Sequence, residues 1–225
     1  MARRIWRRLE LCIDQLYVCG VESLPIVAIC VTVVSLMLVI EMSYHIKLVL
    51  NQHTLVPGFS TLMLVRELAP VVTALLLASR VGAAMAAELS VMKNSDQIDA
   101  IRLSGVDLFK YLVLPRLSAV TLSCMALTLI ALVVATLGAT VMASNRLGYL
   151  PSEYMNTMLA FTAKYDILIC LIKAAVFGAI IATVAIRQGF KAPPGSRSVG
   201  TAATNAVVDG FIGTILADWV ITYLA

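Results

Sequence analysis

Long apolar runs alternate with short polar stretches along the chain. A membrane-spanning helix needs about 20 mostly apolar residues, because each residue adds about 1.5 Å and the hydrocarbon core is about 30 Å thick. Five runs reach this length, at residues 24–44, 60–82, 117–143, 165–186 and 206–224. The pattern therefore predicts an all-α integral membrane protein in which five transmembrane helices form one domain over residues 24–225.

Two polar segments interrupt this pattern. Residues 1–23 place apolar side chains at helical spacing, with basic side chains largely elsewhere on the wheel. Such a segment is typical of an amphipathic helix that lies on an anionic membrane surface, although a soluble packing helix has the same pattern. Residues 88–110 predict a short helix, which Asn94 or Ser95 can cap and Gly105 can end.

The composition agrees with a membrane protein. Of the 225 residues, 60% are hydrophobic and 13% are charged, and the mean hydropathy is +0.94. Soluble domains are about 45–50% apolar and about 25% charged. Most of the 17 lysines and arginines fall on the side of the N-terminus and of residues 88–110. Because cytoplasmic loops carry an excess of Lys and Arg, we expect a cytoplasmic N-terminus and a C-terminus outside.

Ionisable residues also lie inside the predicted spans. Arg66 and Glu67 lie roughly 10 Å inward from the outer end of the second span, and Lys173 lies at a similar depth in the fourth. Asp218 of the fifth span reaches the same level by the same rise per residue. A charge that faces lipid costs several kcal/mol, so we expect these side chains to meet around a cavity open to the outside. They form either a structural ion-pair network or a lining that binds a substrate such as an anionic headgroup.

Small residues recur at every fourth position in three of the spans. The three series are Ala74, Ala78, Gly82 and Ala86; Ala131, Ala135, Ala139 and Ala143; and Ala174, Gly178 and Ala182. Small residues at this spacing let two helices approach closely in a membrane. The series predict helix packing, within the chain or between two copies, and no chemistry.

Several sequence motifs of enzymes are missing. The chain contains no Gly-x-x-x-x-Gly-Lys-Ser/Thr motif, no His-Glu-x-x-His motif and no cysteine pair with metal-ligand spacing. If ATP drives transport here, we expect a separate ATPase to bind the ATP and Mg²⁺ and to contact residues 88–110. Ile98 and Ile101 could enter a groove of that partner; the residues expected at this contact are Glu88, Asp96, Ile98, Asp99, Ile101 and Arg102. A solvated loop helix explains the same periodicity equally well.

Residues 66–119 closely resemble the signature region of the MlaE/YrbE permeases, the membrane subunits of ABC transporters that work with MCE-domain proteins. The run RELAP at 66–70, the run AEL at 87–89 and the run DQIDA at 96–100 carry the resemblance. The segment 166–174, which includes Lys173, resembles the family's fourth span, and residues 201–225 resemble its last helix. The chain departs mildly from the family pattern at Ala69, Ser79, Asp96 and Leu108.

This resemblance implies a homodimer with two cytoplasmic ATPase subunits below and an MCE-domain hexamer above. The implied cargo is phospholipid or another hydrophobic lipid moving between the inner and outer membranes of a bacterium. Arg66, Glu67 and Lys173 match positions near the lipid pocket, and residues 88–104 match the region that couples to the ATPase. Two other functions stay open: a stand-alone secondary transporter that uses Glu67 or Asp218 as a proton site, and a structural subunit that anchors a partner.

Overall fold

A computed structural model describes residues 15–49 and 55–224, and it contains helices and no β-strand within them. The helices are α1 (Leu24–Val49), α2 (Val56–Asn94), α3 (Gln97–Leu103), α4 (Phe109–Leu147), α5 (Pro151–Phe161), α6 (Lys164–Lys191) and α7 (Arg197–Leu224). All but α3 and α5 belong to stretches long and apolar enough to cross a membrane. The predicted all-α fold with five spans is therefore confirmed for the described part of the chain.

The helices extend beyond the predicted spans. The second span was expected to end near residue 82, but α2 continues to Asn94. The expectation that Asn94 or Ser95 caps the next helix is wrong, because α3 begins at Gln97. The residue before it, Asp96, has a left-handed backbone with φ of 56°, a conformation that Asp tolerates better than most residues. Consequently, the polar stretch bends sharply between two consecutive helices.

The predicted interfacial helix at residues 1–23 lies mostly outside the described residues. Its last part is helical from Gln15 and leads into α1 through a single 3-10 turn at Val21–Ser23. Its position on a membrane surface stays a prediction.

The helices divide into two compact units. The described part of the first comprises residues 15–23, 74–126 and 174–224. A Cβ on Gly178 would lie 2.8 Å from the Cα of Thr121, so α6 and α4 are in close contact there. Near the C-terminal ends of α2 and α6, Lys93 Nζ donates to the carbonyls of Phe190, at 2.9 Å, and of Ala192, at 2.7 Å. A lysine thus holds the C-terminal end of α6, where a cation also complements the helix dipole.

The second unit comprises, in its described part, residues 24–49, 55–73 and 127–173. Its helix α5 packs on the first turns of α2: Tyr154 and Ser60 share a hydrogen bond of 3.3 Å between their hydroxyls. A Cβ on Gly58 would lie 2.5 Å from the ring of Phe161, so only glycine leaves room for this ring. Between α1 and α4, Ser35 Oγ donates to the carbonyl of Ala135 at 3.0 Å.

The three series of small residues lie at buried positions, as their spacing predicts. All eleven positions are buried in the helical interior, and most of them expose almost no surface. Their interpretation as helix-packing positions is therefore confirmed.

Candidate functional site

A widened turn of α2 carries the first two charged residues. The helix is π-helical over Leu64–Leu68, where the amide of Ala69 donates to the carbonyl of Leu64. Pro70 causes this locally: it has no N–H to donate to the carbonyl of Arg66 four residues earlier, and its ring would clash with that carbonyl in a regular α-helix. Turns of this kind are rare and occur frequently at functional sites.

Lys173 of α6 donates a hydrogen bond to the carbonyl of Arg66. Pro70 cannot donate to this carbonyl as a residue four positions later does in a regular α-helix. Its ammonium Nζ lies 2.9 Å from the carbonyl oxygen of Arg66 and 2.8 Å from Oε2 of Glu67. One lysine therefore satisfies a backbone acceptor and a carboxylate of the same turn. The charged residues of the run RELAP can therefore lie in an apolar helix. Pro70 frees a backbone carbonyl, and Lys173 forms hydrogen bonds with that carbonyl and with the carboxylate of Glu67.

A second ion pair joins the same two helices. The Nε atom of Arg66 lies 2.8 Å from Oδ1 of Asp166 in an ion pair. The other carboxylate oxygen of Asp166 accepts a hydrogen bond of 2.8 Å from the amide of Ala163, and the amide of Asp166 donates back to the carbonyl of Ala163 at 3.0 Å. This reciprocal pair closes the N-terminus of α6 like a capping box and holds the carboxylate in place. We call Arg66, Glu67, Asp166 and Lys173 the charge cluster.

The two ion pairs are buried in opposite ways. In the first, the cation is the exposed member: the side chain of Arg66 is 35% exposed and that of Asp166 is 9% exposed. In the second, the anion is the exposed member: the side chain of Lys173 is 1% exposed and that of Glu67 is 32% exposed. The cluster therefore presents one positive and one negative group, each backed by a buried partner of opposite sign.

Of the four residues predicted to share one depth, the structure brings Arg66, Glu67 and Lys173 into direct contact. Asp218 lies in the first unit, on α7, and is half-buried there, so its participation in the cluster stays a prediction. Asp166 was not among the predicted site residues. Its signal in the sequence was its position seven residues before Lys173, which places both side chains on one face of α6 two turns apart.

The residues expected to contact an ATPase lie in and around α3, and they differ in accessibility. Ile98 is only 4% exposed, and it lines a cavity of about 470 Å³ together with Phe109 and Phe190 of its own chain. Ile101 is half-buried. Leu103, which sequence reasoning passed over, is 90% exposed. Ile98 thus packs inward, and Leu103 is the apolar side chain of α3 that projects from the protein.

The charged residues near α3 have two kinds of partner. Asp99 and Arg102 pair within α3 at 3.5 Å, and both are exposed. Glu88 accepts a hydrogen bond of 2.8 Å from Arg116, whose side chain is almost fully buried in the first unit. Since a buried guanidinium requires a counter-charge, Glu88 has a structural role in addition to any contact with a partner.

The family model described as "Permease MlaE" matches residues 12–224 of this chain. A probable ABC transporter permease protein of Synechocystis sp. is 34% identical over 221 residues, which cover 98% of this chain and 83% of that protein. The intermembrane phospholipid transport system permease protein MlaE of Haemophilus influenzae is 28% identical over 97% of this chain and 84% of that protein. The Arabidopsis thaliana protein TRIGALACTOSYLDIACYLGLYCEROL 1, chloroplastic, is 34% identical over 93% of this chain and 60% of that protein.

Proposed function

The chain belongs to the MlaE permease family, and on that basis we propose that it moves phospholipid, or a related hydrophobic lipid, between an inner and an outer membrane. It is an ABC transporter permease and a multi-pass membrane protein. The relative from Haemophilus influenzae is named for intermembrane phospholipid transport. The observation that carries the proposal for this chain is the charge cluster, which two membrane-spanning helices bring together.

The charge cluster fits a lipid headgroup. Ionisable side chains inside a membrane are costly and usually mark a pathway for polar groups. The guanidinium of Arg66, whose side chain is 35% exposed, can donate two parallel hydrogen bonds to a phosphate, while apolar side chains of the spans accommodate acyl tails. Lys173 supports this site from behind, because its ammonium is almost fully buried. The prediction that Lys173 contacts the headgroup directly therefore gives way to a supporting role.

ATP hydrolysis belongs, in this proposal, to a cytoplasmic ABC ATPase dimer that binds ATP and Mg²⁺. The contact region is the segment 88–104, with α3 at its centre. Leu103 would enter an apolar groove of the ATPase, because a leucine that is almost completely exposed gains about 1.5–3 kcal/mol when a partner buries it. Asp99 and Arg102 would lie at the polar rim of this contact.

The proposed assembly is a homodimer with a periplasmic MCE-domain hexamer. One face of α7 supports a contact between copies: Asn205 and Asp209 are exposed on it, and Asp209 also bonds Gln188 of α6. Polar side chains on a spanning helix are stable when a second helix covers them. The proposed orientation has a cytoplasmic N-terminus and a periplasmic C-terminus in a bacterial inner membrane, and it rests on the distribution of Lys and Arg.

Two other functions remain as competitors. In a stand-alone secondary transporter, Glu67 would carry the proton, yet Glu67 accepts a hydrogen bond of 2.8 Å from Lys173, so it is already engaged in a contact between two helices. In a structural anchoring subunit, the charge cluster would only hold two helices together. The two ion pairs suit such a role, so an experiment must separate assembly from transport.

Reconstitution of the complete transporter in proteoliposomes tests the proposal. We expect Arg66→Gln to reduce lipid transport at least tenfold, because the positive charge is lost. The complex should stay intact, because the amide of glutamine can still donate a hydrogen bond to the buried carboxylate of Asp166. His45→Gln on α1 is a matched control, since His45 pairs with Glu41 away from the cluster. Loss of assembly in Arg66→Gln would favour the anchoring function, and uptake driven by a pH gradient without an ATPase would favour the secondary transporter.

A further inference from the structure

The exposed charges of the cluster have opposite signs. Arg66 and Glu67 are adjacent in one turn of α2, and each is the more accessible member of its ion pair. The buried members are Asp166 and Lys173, both on α6. A ligand that approaches the cluster therefore meets a guanidinium and a carboxylate, and it does not meet a purely positive surface.

We propose that the charge cluster selects a zwitterionic headgroup, in which a phosphate and an ammonium are joined by a short link. The phosphate binds Arg66 and the ammonium binds Glu67. This inference rests on the proposed lipid transport and adds the class of headgroup to it. It also differs from the expectation of an anionic headgroup. A headgroup that carries only negative charge would be repelled by the carboxylate of Glu67.

The buried partners fix the two exposed groups. Asp166 is held by the amide of Ala163 at the start of α6, so its carboxylate orients the guanidinium of Arg66. Lys173 is held by the carbonyl of Arg66, so its ammonium orients the carboxylate of Glu67. Binding groups held in position before the ligand arrives lose less entropy on binding.

The spacing on α6 separates the two exposed charges. Asp166 and Lys173 are two turns apart, which is about 10 Å along the helix axis. Arg66 pairs with Asp166 and Glu67 pairs with Lys173, so the two accessible groups contact different turns of α6. A guanidinium has five donors and a carboxylate accepts about four hydrogen bonds, so each can hold a ligand and its partner at once. A headgroup dipole can therefore lie along the cluster without breaking either ion pair.

The test measures which lipid the intact complex retains. The purified transporter complex is exposed to equal amounts of phosphatidylethanolamine and phosphatidylglycerol with the same short acyl chains, and native mass spectrometry counts the bound lipids. We expect the unmodified protein to prefer phosphatidylethanolamine. In Glu67→Gln this preference should fall about tenfold, which corresponds to one charge-assisted hydrogen bond, and retention of phosphatidylglycerol should rise. Glu41→Gln removes an exposed carboxylate of α1 outside the cluster and should keep the preference.

Two further arms separate the possible failures. If Arg66→Gln loses both lipids while Glu67→Gln keeps the preference, the headgroup inference is wrong and the proposed lipid transport stands. If neither variant changes retention, the cluster does not bind lipid and the proposed function loses its site. Should Glu67→Gln not assemble, the double variant Glu67→Gln with Lys173→Met removes the buried charge too and should show the same loss of preference. If free phosphoethanolamine displaces bound phosphatidylethanolamine, the headgroup alone is recognised. If it does not, and the preference for phosphatidylethanolamine remains, the protein recognises the headgroup only as part of the whole lipid.

Discussion

The opposite burial of the two ion pairs predicts an unequal response to removing either partner of the pair Glu67 and Lys173. Glu67→Ala leaves the ammonium of Lys173 with 1% exposure and without its carboxylate, and a stranded buried charge costs about 3–5 kcal/mol. Lys173→Met leaves the carboxylate of Glu67, which is partly exposed and can bind water, so the loss should be about 1–3 kcal/mol. We therefore expect Glu67→Ala to be less stable than Lys173→Met by about 2 kcal/mol.

The free energy of unfolding of the full chain in bicelles, measured by steric trapping, tests this order. The double variant Glu67→Ala with Lys173→Met should recover most of the stability lost in Glu67→Ala, because it no longer buries an unpaired charge. The pair Arg66 and Asp166 is the internal control, since there the anion is the buried member and Arg66→Ala should cost more than Asp166→Ala. Equal losses from both members of each pair would refute the reasoning from burial.

Three other predictions concern the rest of the chain. Leu103→Asp should reduce the stimulation of the ATPase by lipid at least fivefold without unfolding the permease. Ile98→Asp should instead destabilise the protein by several kcal/mol, because Ile98 is buried. An ATPase assay and thermal melting distinguish the two variants, and equal effects in both assays would contradict the assignment of Leu103. Gly178→Val should lower stability by about 1–3 kcal/mol through the clash with α4, and an unchanged melting temperature would contradict the close approach. Burial raises the pKa of the Tyr154 hydroxyl, so the folded state favours its neutral form. The contribution of Tyr154 to stability should be constant below a pH of about 10 and decline above it. Tyr154→Phe should remove this decline and cost about 1 kcal/mol at neutral pH through the lost bond to Ser60.

Helix prediction worked well for the spans and less well at their ends. The number of spans follows from runs of about 20 apolar residues, which a bilayer requires. Helix α5 was not expected, because its apolar residues are too few for a span and its stability comes from contacts of Tyr154 and Phe161 with α2. The start of α3 was misplaced because Asp96 adopts a left-handed backbone, which propensity alone does not indicate.

The candidate site was partly predictable. A constant rise per residue places Arg66, Glu67 and Lys173 at one depth, and the structure brings these three together. Depth carries no information about direction around the helix axis or about burial, so sequence reasoning could not tell that Lys173 is hidden while Glu67 is accessible. The spacing of seven residues places Asp166 on the same face of α6 as Lys173, but its role depends on contacts with both Arg66 and Ala163, which the spacing does not show.

The sequence by itself determined that this protein has five stretches long and apolar enough to cross a membrane, that these stretches carry charged residues, and to which family it belongs. Local length, hydropathy and motif spacing are sufficient for these conclusions, because the bilayer imposes them on each segment separately. Only the tertiary structure decided which charges pair, which member of each pair is buried, and that Leu103 rather than Ile98 projects from α3. These depend on how helices distant in the chain rotate and pack against one another, and no single segment contains that information.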